Sequence, residues 1–177
     1  NAFLATKISF ANAIAALSEK TGADGLKVLQ AVGMDKRVGN AFLNAGAGFG
    51  GSCFPKDVKA LIAIAKHHGY DFKLLKEVEE INQNAMISIV EKAKRLLKPN
   101  LKNKTIGILG LSFKPNTDDM RDAPSITIIE ELKKLGAVIK AYDPIAMENA
   151  KKILHDISFN NDPYSAAKNC DLLIILT

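Results

Sequence analysis

The hydrophobic period of this chain changes once, and that change limits its possible folds more than any other feature. From residue 1 to about 98, apolar residues recur at three- and four-residue spacing, the mark of helices. From about 102 onward, short apolar runs alternate with helical stretches. Such alternation means a parallel sheet wound by right-handed crossovers. The expected fold class is α/β in two parts. An all-helical region covers 1–98 and a Rossmann-like region covers 102–177, joined by a linker at Pro99–Lys104.

In the first part, Phe3, Leu4, Ile8, Ile14 and Leu17 predict a helix over 1–20, buried on much of its surface and ended at Thr21-Gly22. Asp24 is a candidate N-cap for a helix to Val32, closed by Gly33. Another helix starts at Pro55, a favoured first position, and runs to about His68. Over 73–98, Leu74, Val78, Ile81, Ala85, Ile89, Ala93 and Leu96 mark a rod of roughly 38 Å. Leu75, Met86, Ile87, Val90 and Leu97 widen its apolar surface, so it is expected to meet a second subunit as well as its own domain. In the second part, strands are expected at 105–109, 137–142, 157–159 and 172–176. Helices are expected at 125–135, 146–155 and 164–168.

Composition removes several function classes. With 47% hydrophobic and 24% charged residues among 177, the chain is neither disordered nor collagenous. The net charge of +5 comes from lysines spread along helices, and aromatics make up only 6%, so no nucleic-acid partner is expected. No apolar run reaches the ~18 residues of a membrane span, so no membrane partner is expected. Two cysteines cannot form a disulfide framework and suit a reducing, cytoplasmic setting. His67, His68 and His155 lack metal-ligand spacing, so no metal is expected. The chain starts inside a helical pattern at Asn1 and stops straight after the run 172–176, so it is expected to be a piece of a longer protein.

The chemistry concentrates in two places. Gly39, Gly46, Gly48, Gly50 and Gly51 crowd the stretch 39–52, which therefore reads as a loop whose backbone comes close to a ligand. Cys53 follows it, two residues ahead of the helix at Pro55, where helix N–H groups, the helix dipole and Lys56 favour thiolate over thiol. Asp57 lies one turn on and could orient a water or hydroxyl. The plainer alternative is a structural cysteine under a glycine-rich turn. The second place is the segment from Gly107 to Ser125, where a strand leads into a glycine-bearing turn and then a helix. That segment lacks the fingerprint G-x-G-x-x-G. Lys114 and Arg121 could bind phosphate oxygens or be ordinary loop cations. Asp143 could hold a ribose or cap the helix that follows Pro144.

These two segments, in this order and spacing, resemble the UDP-glucose 6-dehydrogenases. So do Asn1-Ala2-Phe3-Leu4-Ala5 and Arg37-Val38-Gly39. The resemblance covers essentially the whole chain. It implies a central helical dimerisation domain followed by most of a nucleotide-sugar domain, without the family's NAD-binding domain. It further implies a four-electron oxidation of UDP-glucose to UDP-glucuronate with two NAD, through a thiohemiacetal and thioester on Cys53. Asp57 matches the residue that helps activate water, and Asn1 an amide that holds substrate and oxyanion. Asn44, Ala45, Gly46, Ala47, Gly48, Phe49 and Gly50 match the loop around the UDP-sugar. Phe113 and Lys114 match substrate contacts, and Arg37 one reaching from a neighbouring subunit. Cys53, Phe54, Pro55, Lys56 and Arg121 match NAD contacts, and helix 73–98 the core of a homodimer.

The family's catalytic lysine would stand four residues before Asn1, and its glutamate further upstream. The 177-residue chain alone is therefore expected to be inactive. One departure is visible: Asn12-Ala13 stands where the family commonly has Asn-Glu. UDP-N-acetylmannosamine and GDP-mannose dehydrogenases share the scaffold. Phe42 to Gly46 and Phe54 to Asp57 look most like the UDP-glucose enzymes.

Overall fold

The computed structural model describes residues 1–98 and 100–177, so Pro99 of the expected linker lies outside the described residues. Compact packing divides the chain into two units, Asn1–Ala85 and Met86–Thr177. The boundary falls inside a helix, ahead of the change in hydrophobic period.

The first unit is helical. It holds α1 (Ala2–Thr21), α2 (Gly25–Gly33), α3 (Phe54–His67) and the first half of α4 (Lys73–Leu97). Local chemistry sets the ends. Gly22 closes α1 with a left-handed φ of 76°, and the Asp24 side chain accepts the Lys27 N–H at the start of α2. Ala5, Phe49, Val58, Leu75 and Val78 form one core, and Ala11, Leu29 and Leu43 a second.

The burial expected of α1 is corrected. Its buried residues are the small or polar Ala5, Ser9, Ala11, Asn12 and Ser18, whereas Phe3 and Leu17 are 75% and 57% exposed. Small side chains let α2 and α3 pack closely on α1, where Ile8 and Ile14 pack against the cores while Phe3, Phe10 and Leu17 are exposed.

The second unit carries β1 (Thr105–Leu109), α5 (Pro124–Lys134), β2 (Val138–Tyr142), α6 (Met147–Ile153), β3 (Ser158–Phe159), α7 (Pro163–Ala167) and β4 (Leu172–Ile175). The four strands are all parallel in the order β3-β2-β1-β4. Ile106, Ile108, Ile128, Ile129, Leu132 and Ile139 are fully buried or nearly so between sheet and helices. This order has a consequence for binding. The chain runs outward from β1 through β2 to β3, then returns to the other side of β1 as β4. The end of β1 is thus a switch point, where doubly wound sheets open a crevice. Among the described residues no helix is long and apolar enough to cross a membrane.

Candidate active site

In the first unit, two helix beginnings meet. Asn1 is the N-cap of α1, and Cys53 is the N-cap of α3, with Phe54 and Pro55 opening the helix. Cys53 therefore sits one residue nearer the helix than the Pro55 start implied. Its side chain is exposed, with Sγ 3.6 Å from the Ser52 hydroxyl. Asp57 follows one turn on, and its N–H donates to the Cys53 carbonyl at 2.9 Å.

A contact invisible in the sequence completes this cluster. The Asn1 side-chain amide donates to Asp57 Oδ2 at 2.5 Å across 56 positions. Lys56 Nζ donates to the other oxygen, Oδ1, at 2.5 Å. The Lys56 ammonium first, then the Asn1 amide, hold the Asp57 carboxyl below the usual carboxylate range. Lys56 is pushed above the usual lysine range, mainly by Asp57, with Cys53 a smaller contributor. The cation expected near the thiol is thus hydrogen-bonded to the carboxylate while still feeling Cys53. Asn1, Cys53 and Asp57 are brought together as one group.

The glycine-rich stretch has no helix or strand between Asn40 and Ser52, as expected. Gly48 takes φ 109°, a conformation side-chain-bearing residues rarely adopt. Side chains hold the loop from several directions. Lys7 Nζ donates to the carbonyls of Val38 and Gly39 at 2.9 and 3.3 Å. Asn12 Oδ1 accepts the Gly46 N–H at 2.8 Å. Asn82 accepts the Phe49 N–H at 2.7 Å and donates to its carbonyl at 3.1 Å. The Phe49 ring is buried and meets Phe54 edge-on at 6.0 Å, tying the loop to the first turn of α3.

Asn12 is buried, and its Nδ2 has no hydrogen-bond partner among the described residues. An orphan donor of this kind costs about 1–3 kcal/mol. Sequence reasoning missed Asn12 and Asn82 because their partners are backbone groups of an irregular loop. Arg37 is 89% exposed in its side chain and pairs with Asp35, away from these contacts. Asn44 and Ala45 line a concavity of about 300 Å³ with Leu26, Leu29 and Leu43, and Cys53 is not in its wall.

In the second unit, the loop after β1 sits at the switch point. Gly110 takes φ 85°, and a Cβ there would lie 2.6 Å from the Thr177 carbonyl, so this turn requires glycine. Asp143, only 4% exposed, follows β2 and spans two loops. Its Oδ1 accepts the N–H groups of Ile145 and Ala146, as a cap should. Its Oδ2 accepts those of Leu111 at 2.7 Å and Ser112 at 3.4 Å. Burial alone would raise its pKa, but the four backbone donors outweigh burial and the carboxyl is held below its usual range. Both oxygens are engaged by the fold, so the ribose role considered for Asp143 is replaced by a structural one.

The loop then presents Phe113 and Lys114, with the ammonium 5.3 Å from the ring centroid. Arg121 forms a two-pronged pair with Asp119, with Nε donating at 2.9 and 3.1 Å and one terminal nitrogen at 2.6 Å. Cys170 is partly buried, its Sγ donates to the Ala166 carbonyl, and burial pushes the thiol pKa up.

Comparison with known proteins agrees with this layout. Residues 1–84 match the central domain of the UDP-glucose/GDP-mannose dehydrogenase family, and residues 107–177 match that family's UDP binding domain. UDP-glucose 6-dehydrogenase TuaD of Bacillus subtilis is 52% identical over the whole chain, which spans 38% of that relative. UDP-glucose 6-dehydrogenase of Rhizobium meliloti is 44% identical, again over the whole chain and 40% of the relative. A UDP-glucose dehydrogenase structure from Pyrobaculum islandicum superposes with a TM-score of 0.96 at 39% identity, covering 100% of this chain and 41% of that one. The chain thus spans about two fifths of the length of the relatives it matches. With residues 1–84 and 107–177 both matched by domains of one family, the chain belongs to the UDP-glucose/GDP-mannose dehydrogenase family.

Proposed function

We propose that a full-length protein carrying this chain oxidises UDP-glucose at C6 to UDP-glucuronate, with Cys53 as nucleophile. The observation that carries the reading is the hydrogen bond from Asn1 to Asp57, one helical turn from Cys53. Oxidation of the C6 alcohol first yields an aldehyde. Cys53 Sγ attacks its carbon, a C–S bond forms, and the oxygen takes a proton to give a thiohemiacetal. Loss of hydride from C6 and of the hydroxyl proton leaves a thioester. Asp57 orients water toward the thioester carbon; the C–O bond forms, the C–S bond breaks, and Cys53 departs as thiolate. Asn1 Nδ2 carries two hydrogens, so while one bonds Asp57 the other can donate to the developing oxyanion.

Bound NAD supplies the hydride acceptor, once for each two-electron step. The N-terminal turn of α3 at Cys53–Lys56 and, in the other unit, the exposed Arg121 guanidinium each suit a phosphate oxygen taken by itself. The turn after β1 lacks the dinucleotide fingerprint, so the main dinucleotide cradle is not formed by these residues. Loop 44–50, Phe113 and Lys114 are proposed to hold the UDP-sugar, with Arg37 reaching a neighbouring copy.

A homodimer belongs to the proposal, with helix 73–98 as its core and the exposed face of α1 as a further surface. On α4 the exposed large apolar side chains are Leu74 and Leu96, near opposite ends of the helix. On α1, Phe3, Phe10 and Leu17 are exposed at seven-residue spacing and share one face.

The test supplies UDP-glucose, UDP-N-acetylmannosamine and GDP-mannose in turn to the full-length protein and follows NADH. UDP-glucose is expected to give two NADH per sugar. Faster turnover of either other sugar would overturn the substrate assignment.

A further inference from the structure

We propose that Asn12 and Asn82 are positioning residues for nucleotide-sugar binding, fixing the two ends of Gly46–Phe49 so that the backbone between them is presented in one geometry. The inference rests on reading 44–50 as the sugar-nucleotide loop.

The segment has no secondary structure of its own, and its glycines give it many alternatives. Among the described residues, the hydrogen bonds that reach 44–50 come from these two side chains. They project from different helices, Asn12 from α1 and Asn82 from α4, both within the first unit. Each is buried, at 7% and 8% exposure. Asn82 closes a two-bond bridge on Phe49, matching one backbone donor and one acceptor as a neighbouring strand would. Asn12 holds Gly46 by a single bond and leaves its own Nδ2 without a partner among the described residues. A buried amide that makes one bond and leaves its NH2 unpartnered does little for stability, while Gly46 itself is exposed and could bond water. The yield of that arrangement is position.

Between the two fixed points, the N–H groups of Ala47 and Gly48 bond to nothing among the described residues. They are the donors left for a ligand oxygen. Both holding groups are neutral amides, so they add no charge against a diphosphate and hold the same geometry across pH.

The test uses full-length protein with Asn12→Leu and Asn82→Leu. Both are expected to raise the KM for UDP-glucose about tenfold or more, with kcat and the KM for NAD within about twofold. Asn12→Leu should also leave the melting temperature within about 2 °C, which separates positioning from general destabilisation. Hydrogen exchange gives a second readout. UDP-glucose should slow exchange across 44–51 in the wild type and protect it less in Asn12→Leu.

An unchanged KM for UDP-glucose in Asn12→Leu, or a fall of kcat and both affinities together with the melting temperature, would overturn the inference. If the wild type neither turns over UDP-glucose nor protects the loop, the functional reading itself fails and this inference falls with it.

Discussion

The two loops proposed to face ligand are held by opposite means. The loop before α3 is fastened by neutral carboxamides from distant helices, one of them with its NH2 unpartnered among the described residues, and it leads to an exposed thiol. The loop after β1 is fastened by a buried carboxylate that accepts four backbone N–H groups. The Ser125 hydroxyl also donates to the Leu111 carbonyl at 2.5 Å. The difference teaches where rigidity is needed. The second loop follows an interior strand of the sheet and can be pinned once, by charge. The first is proposed to deliver backbone donors and a nucleophile from an irregular segment, and neutral amides hold it without adding a buried charge.

Substitutions in the two loops should have different effects. The largest effect belongs to the thiol. Cys53→Ser in the full-length protein should lower kcat by about a thousandfold or more, measured by NADH formation. Asp57→Asn should cost about a hundredfold in kcat, because water is no longer oriented toward the thioester.

In the second unit the effect moves from rate to stability. Asp143→Ala strands four backbone donors and should destabilise the 177-residue chain by about 3 kcal/mol in urea denaturation. Its pH dependence has a fixed sign. The folded pKa of Asp143 lies below the ordinary value of 3.8, so its contribution is complete above that value and is lost as pH falls through the folded pKa. The gap between wild type and Asp143→Asn should therefore narrow below about pH 4.

The smallest effect is expected at Arg37. Arg37→Ala removes an exposed pair with Asp35 and should leave the melting temperature unchanged. A large loss there would show that the surface pair supports the fold.

Much of this was legible in the residues. The change of period near residue 98 separates the helical pattern from the strand pattern, and each expected strand and helix is present with ends shifted by a residue or two. The Cys53–Asp57 relation was legible because both lie on one helix start, where spacing fixes geometry. Asn1 and Asp57 were not seen as partners, because 56 residues separate them and no local pattern links them. Asp143 was half legible: an aspartate before proline announces a cap, but the second oxygen serves a loop more than thirty positions away. The exposed stripe on α1 was misread because periodicity reports that a face is apolar, not which partner covers it.

The central claim is that Cys53 carries the substrate covalently. Intact-protein and peptide mass spectrometry on full-length Asp57→Asn, given UDP-glucose and NAD, tests it most directly. A UDP-glucuronyl mass on the peptide bearing Cys53, absent from the Cys53→Ser double variant, is the predicted result. Wild-type turnover by the Cys53→Ser single variant, with no adduct on the peptide, would contradict it.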